Sequence, residues 1–272
     1  MQGVILAVVV SPDTARDTLA AAACLAAVTG KARIEVLAIR TPPAATILPT
    51  EEILTKQQEQ RIKVREQERA ASLKAVYETW SSTGAGKGID VAWFDVEGLA
   101  EAVIQEWGSR ADFIVMRRPD EHDKLSARQA IHTALFATDR PVLVAPGNPV
   151  AGMGRGIAIA WRDDRRTIRA VLSSLRCLGQ AERVYVLAGV REGAPRARIP
   201  DILSEHAIDA ELHELPIGPG VFGAALLAKA HALGADMLVV GAYVHSPLRS
   251  MILGGVTRYM LDHADLPLLM RH

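Results

Sequence analysis

Cysteine is scarce in this 272-residue chain, which holds only two, so neither a disulfide framework nor a four-thiolate zinc site can be built. Net charge is absent as well: 31 Lys and Arg balance 31 Asp and Glu, without the surplus of cations that a general nucleic-acid binder needs. No apolar run reaches the ~18 residues required to cross a bilayer. Met1-Gln2-Gly3 lacks the basic start of a signal peptide. The eight histidines show no HxxxH or HExxH spacing, and neither Cys24 nor Cys177 has a partner at CxxC distance. No GxSxG elbow occurs. Gly84-Ala85-Gly86-Lys87-Gly88 lacks phosphate-loop spacing and runs into a strand where a helix N-terminus is needed, so it reads as a loop. These absences point to a cytoplasmic globular protein with no membrane segment, no nucleic-acid partner, no metal and no enzymatic apparatus.

What is present is a regular alternation of short apolar runs and helical patterns. Val4–Val10 reads as a buried strand, followed by a helix with Asp13 as N-cap and Gly30 as its stop. Ile34–Ile39 is a second strand. Glu51–Ser82 reads as a long helix whose polar start, Thr55–Arg61, projects into solvent, while Ile62, Leu73, Val76 and Trp80 form its apolar stripe. Ile89–Phe94, Phe113–Met116 and Val142–Ala145 supply further strands, with helices at Leu99–Trp107 and Ser126–Ala137 between them.

The pattern then restarts. Pro146-Gly147-Asn148-Pro149, running on towards Gly156, reads as a linker. Five more strands follow at Ile157–Trp161, Val184–Ala188, Ile208–Leu212, Met237–Val240 and Leu266–Met270. Val36-Leu37-Ala38 recurs as Val186-Leu187-Ala188, Ile89-Asp90 as Ile208-Asp209, and Ala111-Asp112 as Ala235-Asp236. Asp139-Arg140-Pro141 recurs as Asp265-Leu266-Pro267. An internal duplication explains these pairs, the main length change being a shortened second helix in the second copy. The expected fold is therefore α/β, with two tandem Rossmann- or flavodoxin-like units. Each is a five-stranded, mostly parallel sheet with helices on both faces. The expected boundaries are 1–147 for the first unit, 148–153 for the linker and 154–272 for the second.

Charge divides unevenly between the copies. Residues 1–150 hold 17 basic and 19 acidic residues, and 151–272 hold 14 and 12. Arg162, Arg165, Arg166 and Arg169 crowd together, either as a solvated helix face or as an anion-facing mouth. Gly218-Pro219-Gly220-Val221-Phe222-Gly223 matches GxGxxG, but it follows the third strand of its copy. The ribose-binding acid expected about 20 residues later is also missing, so it reads as a turn into a helix. The segment Val239–Thr257 carries more. A buried strand ends at Gly241, and Gly254-Gly255 interrupts a helical pattern, since glycine there costs up to about 1 kcal/mol. A short helix to Leu253 and a fresh start near Thr257 would aim unpaired backbone N–H groups past the strand end, as a phosphate cradle or a plain helix–helix turn.

That segment, with its closing strand at Asp265-Leu266-Pro267-Leu268-Leu269, resembles the signature of the universal stress protein (UspA) family. The likeness covers the chain as two tandem copies. Nucleotide-binding members carry G-x-x-G, nine residues, then glycine and Ser or Thr, which hold the phosphates and ribose of ATP. By position the resemblance implies nucleotide contacts at Gly241, Val244, Gly254, Gly255, Val256 and Thr257, with Asp163 near the adenine-side position. Val244 stands where the family has glycine, and Gly255 where it has a hydroxyl; Thr257 lies two residues away from that position. In the first copy Arg117, Asp120 and Ala130 replace the three glycines, so its motif is degenerate.

The resemblance implies a stress-response regulatory protein that takes ATP or another adenine nucleotide weakly in its second unit. The alternative is a structural or protein-interaction adaptor without a nucleotide site. An adenylate-forming enzyme would need an SGGxDS, HxGH or KMSKS motif, and neither Ser11–Ala15 nor Trp161–Arg165 has one. The fifth strands, Val142–Ala145 and Leu266–Met270, are apolar and free of lysine. They are expected to pair with each other within the chain, with further homodimerisation open. Both cysteines are expected to be reduced and largely buried.

Overall fold

The computed structural model describes residues 2–30, 32–46, 54–83, 86–119, 125–147, 152–242 and 255–272. Val244, Gly254, the short helix to Leu253, residues 51–53 of the long helix, Asp120 and residues 148–151 of the linker lie outside the described residues.

The first unit runs β1 (Gly3–Val9), α1 (Pro12–Thr29), β2 (Ala32–Arg40), α2 (Lys56–Ser82), β3 (Val91–Glu97), α3 (Ala100–Ser109), β4 (Phe113–Arg117), α4 (Leu125–Ala137) and β5 (Val142–Ala145). The second runs β6 (Gly156–Trp161), α5 (Arg165–Leu178), β7 (Arg183–Val190), α6 (Asp201–Glu205), β8 (Glu211–Pro216), α7 (Phe222–Ala232), β9 (Met237–Gly241), α8 (Gly255–His263) and β10 (Leu268–Arg271). The shortened second helix of the second copy is α6, five residues against 27 in α2.

Local chemistry sets most boundaries. Helix α1 begins two residues earlier than expected: Ser11, in an extended conformation, holds the N-cap position, Pro12 opens the helix and Asp13 lies in its first turn. Gly30 stops it with φ of 87°, a left-handed conformation that glycine adopts without strain. Helix α2 starts with a capping box, in which the Thr55 hydroxyl accepts from the Gln58 N–H and the Gln58 side chain accepts from the Thr55 N–H. Its turns from Thr55 to Arg61 are exposed, and Leu73 and Trp80 are buried. The third strands begin later than the apolar runs suggested. The Ile89 N–H donates to the Gly86 carbonyl and the Ile208 N–H to that of Leu203, so both isoleucines close turns before the ladders start.

All ten strands form one sheet in the order β3-β2-β1-β4-β5-β10-β9-β6-β7-β8. Every neighbouring pair is parallel except β5 and β10, which run antiparallel with Leu143 opposite Leu269 and Val142 opposite Met270. The two units thus meet through their fifth strands about a pseudo-two-fold axis, as the apolar edges predicted. One face of the sheet is covered by α1, α2, α5 and α6, the other by α3, α4, α7 and α8. The outer edges carry charge, Asp95 and Glu97 on β3 and Glu211 and Glu214 on β8, which discourages further strand addition.

The recurring Ala-Asp pair has a structural job. Before β4, the Asp112 carboxylate accepts from the Val4 N–H and its own N–H donates to the Val4 carbonyl. Before β9, the Asp236 carboxylate accepts from the N–H groups of Gly154, Arg155 and Gly156, and its own N–H donates to the Gly156 carbonyl. Each aspartate fastens the first strand of its unit. The two cysteines sit in the matching helices α1 and α5. Cys177 is buried and its thiol is pushed up to about 12 by burial, while Cys24 is half-buried and raised less. Half-burial of Cys24 falls short of the sequence expectation: it packs against the core layer, and its thiol meets the Gly152 backbone.

Candidate functional site

Strand β6 lies between β7 and β9, so the chain leaves it in one direction and returns on the other side. In a doubly wound sheet this reversal opens a crevice beyond the carboxyl ends of the two strands, the usual place for a ligand. Ala160 of β6 pairs with Val240 of β9, which brings the ends Trp161–Asp163 and Gly241 side by side. The sequence-predicted positions Gly241 and Asp163 therefore lie at or just past the ends of neighbouring strands at the reversal point of the second unit.

Gly241 closes β9 and is buried. A Cβ there would stand 3.1 Å from both the amide nitrogen and Oγ1 of Thr167, so the missing side chain lets the first turn of α5 close on the strand end. The Ala242 N–H donates to the Arg271 carbonyl at 2.7 Å, extending the ladder to β10 by one step. Helix α8 is described from Gly255, two residues before the expected start near Thr257. Gly255 is exposed with open space where a Cβ would be, Val256 is half-buried, and Thr257 is fully buried. Asp163 is exposed. Val244 and Gly254 lie outside the described residues.

The sequence reading passed over Asp164. It is the N-cap of α5, and its Oδ1 accepts from the N–H groups of Arg166 and Thr167, each at 3.0 Å. Its Oδ2 also lies 3.3 Å from Arg162 Nε. The positive end of α5 is thus met by a carboxylate of its own chain. The signal was legible, because an aspartate just before an amphipathic run is a standard cap. The arginine cluster divides accordingly: Arg162 turns to Asp164, while Arg165 and Arg169 are exposed.

The matching crevice of the first unit is filled. Arg117 ends β4 as Gly241 ends β9, and its side chain lies 3.7 Å from Asp17 and donates to the Arg118 carbonyl. A Cβ on Gly147 would come within 2.8 Å of Arg117 Nη2. From α2, Arg69 donates to the carbonyls of Val10 and Ile39 at the carboxyl ends of β1 and β2. Guanidinium groups therefore occupy the reversal point of the first unit.

The GxGxxG match is a turn. Gly218 and Gly220 have nothing within 4 Å of an added Cβ, and Gly223 lies inside α7, packed against Tyr259. Among the described residues no group of three or more His, Cys, Asp or Glu side chains could hold a metal ion. No described helix is long and apolar enough to cross a membrane.

Residues 214–272 match the family model described as the universal stress protein family. A solved structure of a universal stress protein from Archaeoglobus fulgidus DSM 4304 matches 98% of this chain and 95% of its own, at 15% identity and a TM-score of 0.70. A functionally unknown protein from Pseudomonas aeruginosa PAO1 matches 98% of this chain and 92% of its own, at 16% identity and a TM-score of 0.60. No curated protein matches the sequence significantly. The second unit thus carries universal stress protein family sequence over 214–272, and the whole chain has the two-unit fold of a universal stress protein of matching length.

Proposed function

We propose that this is a cytoplasmic regulatory protein of the stress response that takes an adenine nucleotide weakly, at the reversal point of its second unit, and catalyses nothing itself. The observation that carries the reading is the contrast between the two crevices. That of the first unit is filled by Arg117 and Arg69, whereas the equivalent position in the second is Gly241, which has no side chain. Phosphates near Gly254–Thr257 would meet the N–H groups of the first turn of α8, with adenine and ribose towards Trp161–Asp163. Weak affinity follows from three features. Val244 brings a side chain where glycine favours close approach, Gly255 offers no hydroxyl, and Asp164 already satisfies the first turn of α5.

The adaptor reading draws support from that same cap and from the packing of Gly241 against Thr167, which gives both features a structural use without a ligand. Purified protein decides between them. With a nucleotide site of this weak kind, the protein leaves a column nucleotide-free but takes up ATP at equilibrium. Equilibrium dialysis against millimolar ATP reads that out as an excess of nucleotide on the protein side. No excess on the protein side favours the adaptor.

A further inference from the structure

The junction of the two units leaves a groove of about 230 Å³, lined by Leu135, Phe136, Asp139 and Arg140 of the first unit and Arg169 and His272 of the second. It exists because β5 and β10 run antiparallel, which sets the turn before β5 beside the end of β10. We infer that this groove binds a small phosphate dianion, free or as the end group of a small monoester, gripped by residues from both units. It adjoins the crevice of the nucleotide reading, since Arg271 pairs with Gly241, but it takes residues from both units.

The groove is basic, and its cations are held in place. Arg140 Nε and Nη2 both donate to the Ser109 carbonyl, at 3.0 and 2.5 Å, which fixes the guanidinium plane. Arg271 Nη2 donates to Asp139 Oδ1 at 3.0 Å, while its Nε is buried with no hydrogen-bond partner. Asp139 itself is fixed in a left-handed turn with φ of 56°. The His272 ring packs edge-on against Phe136, their centroids 4.8 Å apart. Its proton affinity is lowered first by burial and then by Arg166, Arg169 and Arg271, with Asp139 opposing. Three guanidinium groups and one carboxylate thus act on the imidazole. Planar, pre-positioned arginine forks suit a phosphate, and the volume lies below the ~300–1,000 Å³ of sites for larger ligands.

The pseudo-two-fold axis supplies an internal control. Equivalent buried positions lie 152 residues apart in the first strand and helix of each unit, as Ile5 and Ile157 or Leu19 and Val171. In the last strand they lie 126 apart, as Val142 and Leu268. By these offsets Arg169 corresponds to Asp17, Phe136 to Asp262, Asp139 to Asp265 and His272 to Pro146. The counterpart region is therefore acidic, and the chain's own cations neutralise it. Arg117 lies 3.7 Å from Asp17, Arg128 lies 3.6 Å from Asp262, and His231 bonds Asp265 at 2.7 Å. Arg118 Nη1 adds a bond to the Asp262 carbonyl. One junction region is sealed from within. The other keeps a surplus of positive charge facing a cavity.

The test titrates inorganic phosphate, and separately glycerol phosphate, into the full chain at constant ionic strength. His272 is followed by its imidazole NMR signals and binding by calorimetry. The expected result is saturable binding with an upward shift of the His272 pKa, because a bound anion favours the imidazolium. Arg169→Asp, an exposed position, copies the acidic counterpart and should weaken binding at least tenfold. The His272 signals report this groove and not the first turn of α8, so the proposal stands or falls on them whether or not ATP binds. Tighter binding of glycerol phosphate than of phosphate would identify a monoester, and equal binding the free ion. No saturation in the parent protein, or equal binding after Arg169→Asp, overturns the proposal.

Discussion

Asp236 shows how much structure one side chain can fix. Its carboxylate takes three backbone N–H groups at the entry to β6, where Asp112 takes a single one at the entry to β1. Replacing Asp236 with alanine leaves those donors to solvent or unsatisfied, a loss of about 1–3 kcal/mol for the buried share. Asp112→Ala should be milder. Urea midpoints measure both: the account expects Asp236→Ala to unfold earlier than Asp112→Ala, and the reverse order would contradict it. The repeated Ala-Asp was legible as a sequence match between copies, but its purpose was not, because each aspartate acts on backbone 80 or more residues away. Asp164 and Arg117 make the same point in opposite ways. Asp164 obeys a local capping rule and could have been read directly. Arg117 was visible as a departure from glycine, but only folding shows that its guanidinium fills the crevice against Asp17.

Among the elements, the strands were the most legible, because parallel strands buried on both faces appear as continuous apolar runs such as Phe113–Met116 and Val142–Ala145. Boundaries suffered where an apolar residue anchors a turn instead of a ladder, as at Ile89 and Ile208. The pairing of β5 with β10 was predictable from edge chemistry, and it has consequences for stability. Leu143 and Leu269 face each other across the antiparallel ladder and are 0% and 1% exposed. Helices α1 and α5 pack on the same face of the continuous sheet, so the two units share one core layer. The parent protein should therefore unfold in a single calorimetric transition. Leu269→Asp, which buries a charge at the ladder, should cost at least about 3 kcal/mol and separate the transition into two. Two well-resolved transitions in the parent would show that the junction is not a shared core.

At the scale of the whole molecule, two units share one strand plan and differ at the carboxyl ends of their strands. The first places Arg117 and Arg69 at its reversal point, and the second has Gly241 there. The groove at the junction diverged in the same manner, basic on one side of the axis and self-neutralised on the other. The arginine cluster and Arg117 were legible in the sequence, but their placement was not, since Arg169, Asp139 and His272 meet only through the order of the ten strands. The central claim is that one unit alone keeps an open nucleotide crevice. Titration calorimetry with ATP tests it most directly, on the parent, on Val244→Gly with Gly255→Ser, and on Gly241→Arg, which copies the first unit. The account predicts one site per chain, with a dissociation constant on the order of tens of micromolar or weaker, about −6 kcal/mol. Binding should tighten in the double variant and vanish in Gly241→Arg. No heat from either the parent or the double variant at millimolar ATP, or a stoichiometry of two, would contradict it.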